Sequence, residues 1–145
     1  MARVFGALLA LAAVGGVQAQ LLGEVMTVVA VSAELNPAVR FPSGSYRLVG
    51  SPPPALLARV EGAQQFGAWE AYQARGLAAN LQAGFVQQLA TSFAVAGYFL
   101  ESQGETSIGA ETHQRYLFVG DDGGRVLLYL IRTPQELVWL IGKAQ

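Results

Sequence analysis

"RYLFVGDDGGRVLLYLIRTPQELVWLIGK", residues 115–143, sets three runs of aromatic and branched residues close together, parted only by Gly120–Gly124 and by Thr133-Pro134-Gln135. Such runs favour strands, and connections this short permit antiparallel pairing while leaving no room for a crossover helix. In the middle run Leu127, Tyr129 and Ile131 alternate with Leu128, Leu130 and Arg132. A strand apolar on both faces along most of its length is central, with something packed on each side.

The polar cluster Asp121-Asp122-Gly123-Gly124 invites a chemical reading. A calcium loop spreads acidic ligands at alternate positions over about a dozen residues. A phosphate loop is followed by a helix N-terminus. Here two adjacent aspartates stand alone before Arg125, and a strand follows. Asp-Gly between strands is a favoured tight turn, so this stretch predicts a hairpin.

Working upstream, "GYFLESQ" (97–103) alternates Tyr98, Leu100 and Ser102 against Phe99, Glu101 and Gln103, which predicts a further strand. "ESQGETSIGAET" (101–112) reads as a polar, glycine-containing loop. The C-terminal third is therefore an antiparallel meander of three to four strands.

Before it the period changes. Leu56, Val60, Ala63, Gly67, Ala71 and Ala74 recur at three- and four-residue spacing, predicting a helix over about 55–75 that Arg75-Gly76 breaks. Leu77, Leu81, Phe85, Leu89 and Phe93 recur every four residues and predict a second helix over about 77–95. One unbroken helix would hold several glycines, each costing about 1 kcal/mol against alanine. Earlier still, "EVMTVVAVSAEL" (24–35) and "SYRLVG" (45–50) read as short strands, Tyr46 and Leu48 sharing a face. Pro52-Pro53-Pro54 ends that β segment, and Pro54 suits the first turn of a helix. Strands, helices, then a meander predict a two-layer α+β domain.

The N-terminus speaks to compartment. Arg3, the apolar run Val4–Val14 and the small residues before Gln20 have the layout of a cleavable secretory signal over 1–19. A retained span continuing through residues 21–31 would bury Glu24 in lipid, which is costly. The expectation is a periplasmic or secreted single domain over 20–145, with no stable membrane span after cleavage. Without cysteine there is neither a lipoprotein anchor at the signal junction nor a disulfide. After cleavage the formal charge is −2, with no basic stripe for nucleic acid. Arginine outnumbers lysine eight to one, a composition that points to a bacterial chain.

Catalytic constellations are not evident. His113 is the single histidine and, beside Thr112 and Gln114, reads as a solvated edge residue. No serine sits in a G-x-S-x-G elbow, and Glu101, Glu105 and Glu111 read as solvated loop charges. No cofactor or metal site is expected. The most suggestive group is Phe66, Trp69 and Tyr72, three apart and covering about a third of a helix at 100° per residue. Exposed, they would form a partner-binding surface, since Trp and Tyr are favoured interface anchors; sandwiched, they would be core. Trp139 reads as core. The sequence thus predicts an exported, non-catalytic binding domain whose partner is a protein or a small apolar ligand in the cell envelope. The alternatives are a carrier of a small apolar ligand, which needs a cavity between helix and sheet, and a small hydrolase with a scattered site.

Overall fold

The structure, a computed structural model, describes residues 26–145, with Met26 and Thr27 described through their backbone alone. The signal segment at 1–19 lies outside the described residues. Seven strands form one antiparallel sheet: β1 (Met26–Val29), β2 (Ser45–Leu48), β3 (Phe66–Ala74), β4 (Phe99–Ile108), β5 (Glu111–Val119), β6 (Arg125–Arg132) and β7 (Leu137–Ala144). Their spatial order is β1-β2-β3-β7-β6-β5-β4. A single helical turn, α1 (Pro54–Leu57), and one long helix, α2 (Gln82–Val95), complete the described residues with short 3-10 turns at Ala63–Gln65 and Ala79–Leu81. The α+β class holds, but the fold is dominated by its sheet.

The meander forms where the apolar runs lie. Six consecutive residues of β6, Val126 to Ile131, and the β7 run Leu137 to Ile141 are buried, as expected of central strands covered on both sides. Between β5 and β6 the aspartates shape the turn: Gly124 N–H donates to Asp122 Oδ1 at 2.8 Å and Gly120 N–H to Gly124 C=O at 2.8 Å. Gly123 takes φ +83°, open to glycine and disfavoured for other residues. Pro54 opens α1, where its missing N–H costs nothing.

The helix expected over 55–75 is not formed. Only Pro54–Leu57 is α-helical, and Phe66–Ala74 is a strand between β2 and β7. A β-bulge accounts for the helix-like spacing. Pairing with β7 is regular from Glu70↔Ile141 to Ala74↔Leu137, then shifts before Gly67↔Lys143. Ala68 sits at the shift with φ +51°, the single positive-φ residue other than glycine among the described residues. The bulge adds a residue to one strand, so Phe66 and Trp69, three apart, share one face and mimic helical spacing. It lies where β3 has no β2 neighbour, since β2 pairs only with Tyr72 to Ala74.

The second helix is present with its start at Gln82, and Phe85, Leu89 and Phe93 of the expected stripe are buried. Leu81 falls in the preceding 3-10 turn and is exposed. The presumed loop 101–112 is instead most of the β4–β5 hairpin; all ten residues of β4 are exposed at the edge of the sheet.

Both faces of the central strands β3, β7 and β6 are covered. On the α2 face, Phe85, Val86, Leu89 and Phe93 pack with Tyr72, Trp139, Leu128 and Leu130. Beside the helix, the segment from Ala30 to Phe41 covers the β3 end of that face. The Glu70 carboxylate ties it down, accepting from Leu35 N–H at 2.8 Å, from Glu34 N–H at 3.2 Å and from the Tyr72 hydroxyl. On the other face Leu56, Val60 and Phe66 cover Leu127, Tyr129, Ile131 and Leu140.

Candidate functional site

Seven strands about 4.8 Å apart make a sheet nearly 30 Å wide, whereas a helix with its side chains is about 10 Å across. One helix and one irregular segment cannot span that width. The uncovered part lies over β4 and β5 on the α2 face, and there a groove of ≈ 450 Å³ opens. Its helix wall carries Ala83, Val86, Ala90 and Ala94, whose small side chains leave the space. Its floor is Tyr116 and Phe118 of β5, with Leu100 of β4 and Tyr98 just before it.

Gradation along the groove is marked. At one end the rings converge: Phe118 stacks on Phe93 at 4.7 Å and 6°, and Tyr98 meets Phe93 edge-on at 5.8 Å. At the other end Arg132 leaves the last position of β6 between two amides. Its Nε donates to Gln82 Oε1 at 3.4 Å and its Nη1 to Gln114 Oε1 at 3.3 Å. Gln82 is itself buried and anchored, Nε2 donating to Thr133 C=O at 2.8 Å. Among the described residues no carboxylate forms an ion pair with Arg132; the pairs there include Arg47 with Glu34, Arg59 and His113 with Glu111, and Arg125 with Glu101. Burial raises the Tyr116 phenol above its usual range, with Glu105 adding to the rise and Arg132 opposing it. Tyr116 on the floor of the groove therefore lies within the field of Arg132.

Phe66, Trp69 and Tyr72 do not form one exposed surface. Tyr72 is fully buried on the α2 face, stacked on Trp139 at 5.6 Å and 12°. Phe66 is buried and Trp69 half-buried on the opposite face, their rings 6.2 Å apart. Alternation along a strand separates Trp69 from Tyr72, whereas helical spacing would have joined them. Trp139 is core.

His113 and Glu111 also differ from expectation. Because β4 lies outside β5, His113 is not on an edge, and it points to the α1 face, where it is buried. Its Nε2 lies 2.9 Å from Glu111 Oε1 and its Nδ1 2.6 Å from the Tyr129 hydroxyl. Arg59 binds the same Glu111 oxygen, and the Tyr129 hydroxyl lies 3.3 Å from Arg59 C=O. The carboxylate accepts, so Nε2 carries a proton, while the Tyr129 hydroxyl donates to Arg59 C=O. Burial pushes the Tyr129 phenol up, helped by Glu61. These four residues came together from three segments of sequence; the legible signal was the i, i+2 spacing of Glu111 and His113 on one strand face. Buried and satisfied, the cluster pins the 59–61 segment to the sheet. It lies across the sheet from the groove.

Among the described residues no group of three His, Asp or Glu side chains is placed to hold a metal, and no helix is long and apolar enough to cross a membrane. No family model, no curated protein and no solved structure matches the chain.

Proposed function

We propose that the protein is an exported, non-catalytic binding domain that takes a small, largely apolar molecule into the groove between α2 and the β4–β5 hairpin. The observation that carries the reading is the groove itself: ≈ 450 Å³, with more apolar than polar lining, Gln103, Gln114 and Arg132 being polar on the sheet side and Gln87 and Thr91 on the helix side. Ligand sites of this size pair an apolar body with a few placed polar groups. Export rests on the signal-like residues 1–19.

An apolar fluorescent probe such as 1-N-phenylnaphthylamine tests the groove. Ala90 stands on the helix wall, so Ala90→Trp fills the space with an indole while leaving the buried stripe of α2 untouched. Probe binding should weaken at least tenfold in the variant with an unchanged melting temperature. Equal binding by both proteins would remove the groove as the site.

A further inference from the structure

We infer that the groove's ligand is a single-chain amphiphile with a carboxylate head held by Arg132 and its chain lying under α2 toward Phe118. This inference rests on the groove reading above and adds the chemical class and direction of the ligand.

The head position follows from charge. Arg132 is a half-buried guanidinium at the end of an apolar groove. Its side chain donates to two neutral amide oxygens at 3.3 and 3.4 Å, long for such bonds, and among the described residues no carboxylate stands within ion-pairing distance of it. A guanidinium prefers a bidentate planar anion. Helix α2 adds a field of the same sign, because its N-terminal end lies here and its first turn holds no acidic residue. Glu105 is the opposing charge near Tyr116, but it stands on the exposed edge strand, where solvent screens it. One cation beside two amide oxygens suits a monoanion better than a phosphate dianion.

The chain length follows from the helix. From Ala83 to Ala94 the helix wall runs about 16 Å at 1.5 Å per residue. An extended acyl chain advances about 1.3 Å per carbon given bonds near 1.5 Å, so about ten to twelve carbons fit. A two-chain lipid does not fit such a volume.

Titration of the purified protein with decanoate, decanol and decyl phosphate, read by probe displacement, tests each part. Decanoate should bind at least tenfold more tightly than decanol. Arg132→Gln should erase that preference while keeping the affinity for decanol, and Arg132→Lys, a cation without the planar fork, should keep only part of it. Glu105→Gln should strengthen decanoate binding by a small factor. A melting curve checks that each variant is folded; if Arg132→Gln is not, the decanoate–decanol ratio of the unaltered protein and Arg132→Lys decide. Equal binding of decanoate and decanol, or an undiminished preference in a folded Arg132→Gln, overturns the carboxylate head while leaving the groove standing. Tighter binding of decyl phosphate overturns the carboxylate in favour of a phosphate. Failure of all three ligands to displace the probe overturns the single-chain ligand, and failure of the probe itself removes the groove.

Discussion

Gly142→Ala on β7 is the sharpest probe of how the bulged strand is packed. A Cβ at Gly142 would stand 2.7 Å from Trp69 Cζ3 and 2.8 Å from both Cε3 and Cη2. Carbon atoms rest about 3.5–4.0 Å apart, so the indole must retreat by about an ångström. Overpacking of this kind typically costs about 1–3 kcal/mol. Trp69 is only half-buried and can swing toward solvent, which favours the lower part of that range. Moving it also disturbs its edge contact with Phe66, worth about 0.5–1.5 kcal/mol. Against this, alanine in a strand is favoured over glycine by about 0.5–1 kcal/mol. The balance is a loss of about 1–2 kcal/mol, or roughly 4–10 °C in melting temperature.

A double-mutant cycle isolates the cause. In a Trp69→Leu background the ring is gone, so Gly142→Ala should become neutral or slightly stabilising, with a coupling of about 1 kcal/mol or more. Trp69 and Trp139 are the two tryptophans, and Trp139 is buried, so a red shift in emission on Gly142→Ala would report Trp69 leaving its seat. Additive melting shifts, or a single variant as stable as the parent, would refute the placement of Trp69 over Gly142 and with it the bulge that puts it there.

Two further outcomes follow from buried polar groups. Glu70→Gln replaces the charged acceptor of two backbone N–H groups and the Tyr72 hydroxyl; with bonds to charged groups worth about 1.5–3 kcal/mol, it should lower stability by about 2–3 kcal/mol and selectively deprotect the Leu35 amide in hydrogen exchange. Unchanged protection at Leu35 would count against the clamp. At alkaline pH, Tyr72 is held far above the usual phenol range, first by burial and then by its bond to Glu70, while burial also raises Tyr116 and Tyr129. In the unfolded chain these phenols ionise near pH 10. Above that pH the unfolded state sheds protons the folded state keeps, so stability should fall as pH rises, by up to about 1.4 kcal/mol per unit for each such tyrosine. Tyr72→Phe should flatten the slope of denaturant midpoint between pH 10 and 11.5; a flat profile in the parent would contradict the assignment.

What the chain's letters disclosed depended on whether local pattern and tertiary position agreed. In β5, β6 and β7 they agree: Val126 to Ile131 are branched or aromatic because that strand is buried on both faces, and the glycine-rich turn announces its own geometry. In β3 they conflict. The bulge inserts a residue between Gly67 and Glu70, so the alternation that marks a strand breaks where it would have been read. Spacings of three then took its place. In β4 both faces reach solvent along an edge, so nothing apolar had to alternate, and Ser102 to Ser107 resembled a loop. His113 misled for a related reason: its neighbours Thr112 and Gln114 point to the other face, and its true environment is Glu111 and Tyr129.

The groove is a product of mismatch between a wide sheet and a single helix, and no local pattern encodes a width. Ala83, Ala90 and Ala94 read as ordinary helix formers, although on this flank their small size leaves the space open. One letter did carry a trace. Along β6, Val126, Leu128 and Leu130 face the helix, and the next residue on that face is Arg132. A charge that interrupts a covered face must either find a counter-ion or reach water. Arg132 reaches the end of a groove with neutral amides for company. That break in an otherwise apolar face links strand pattern to site, because the position that ends the buried run is also the one that leaves a cation facing an apolar channel.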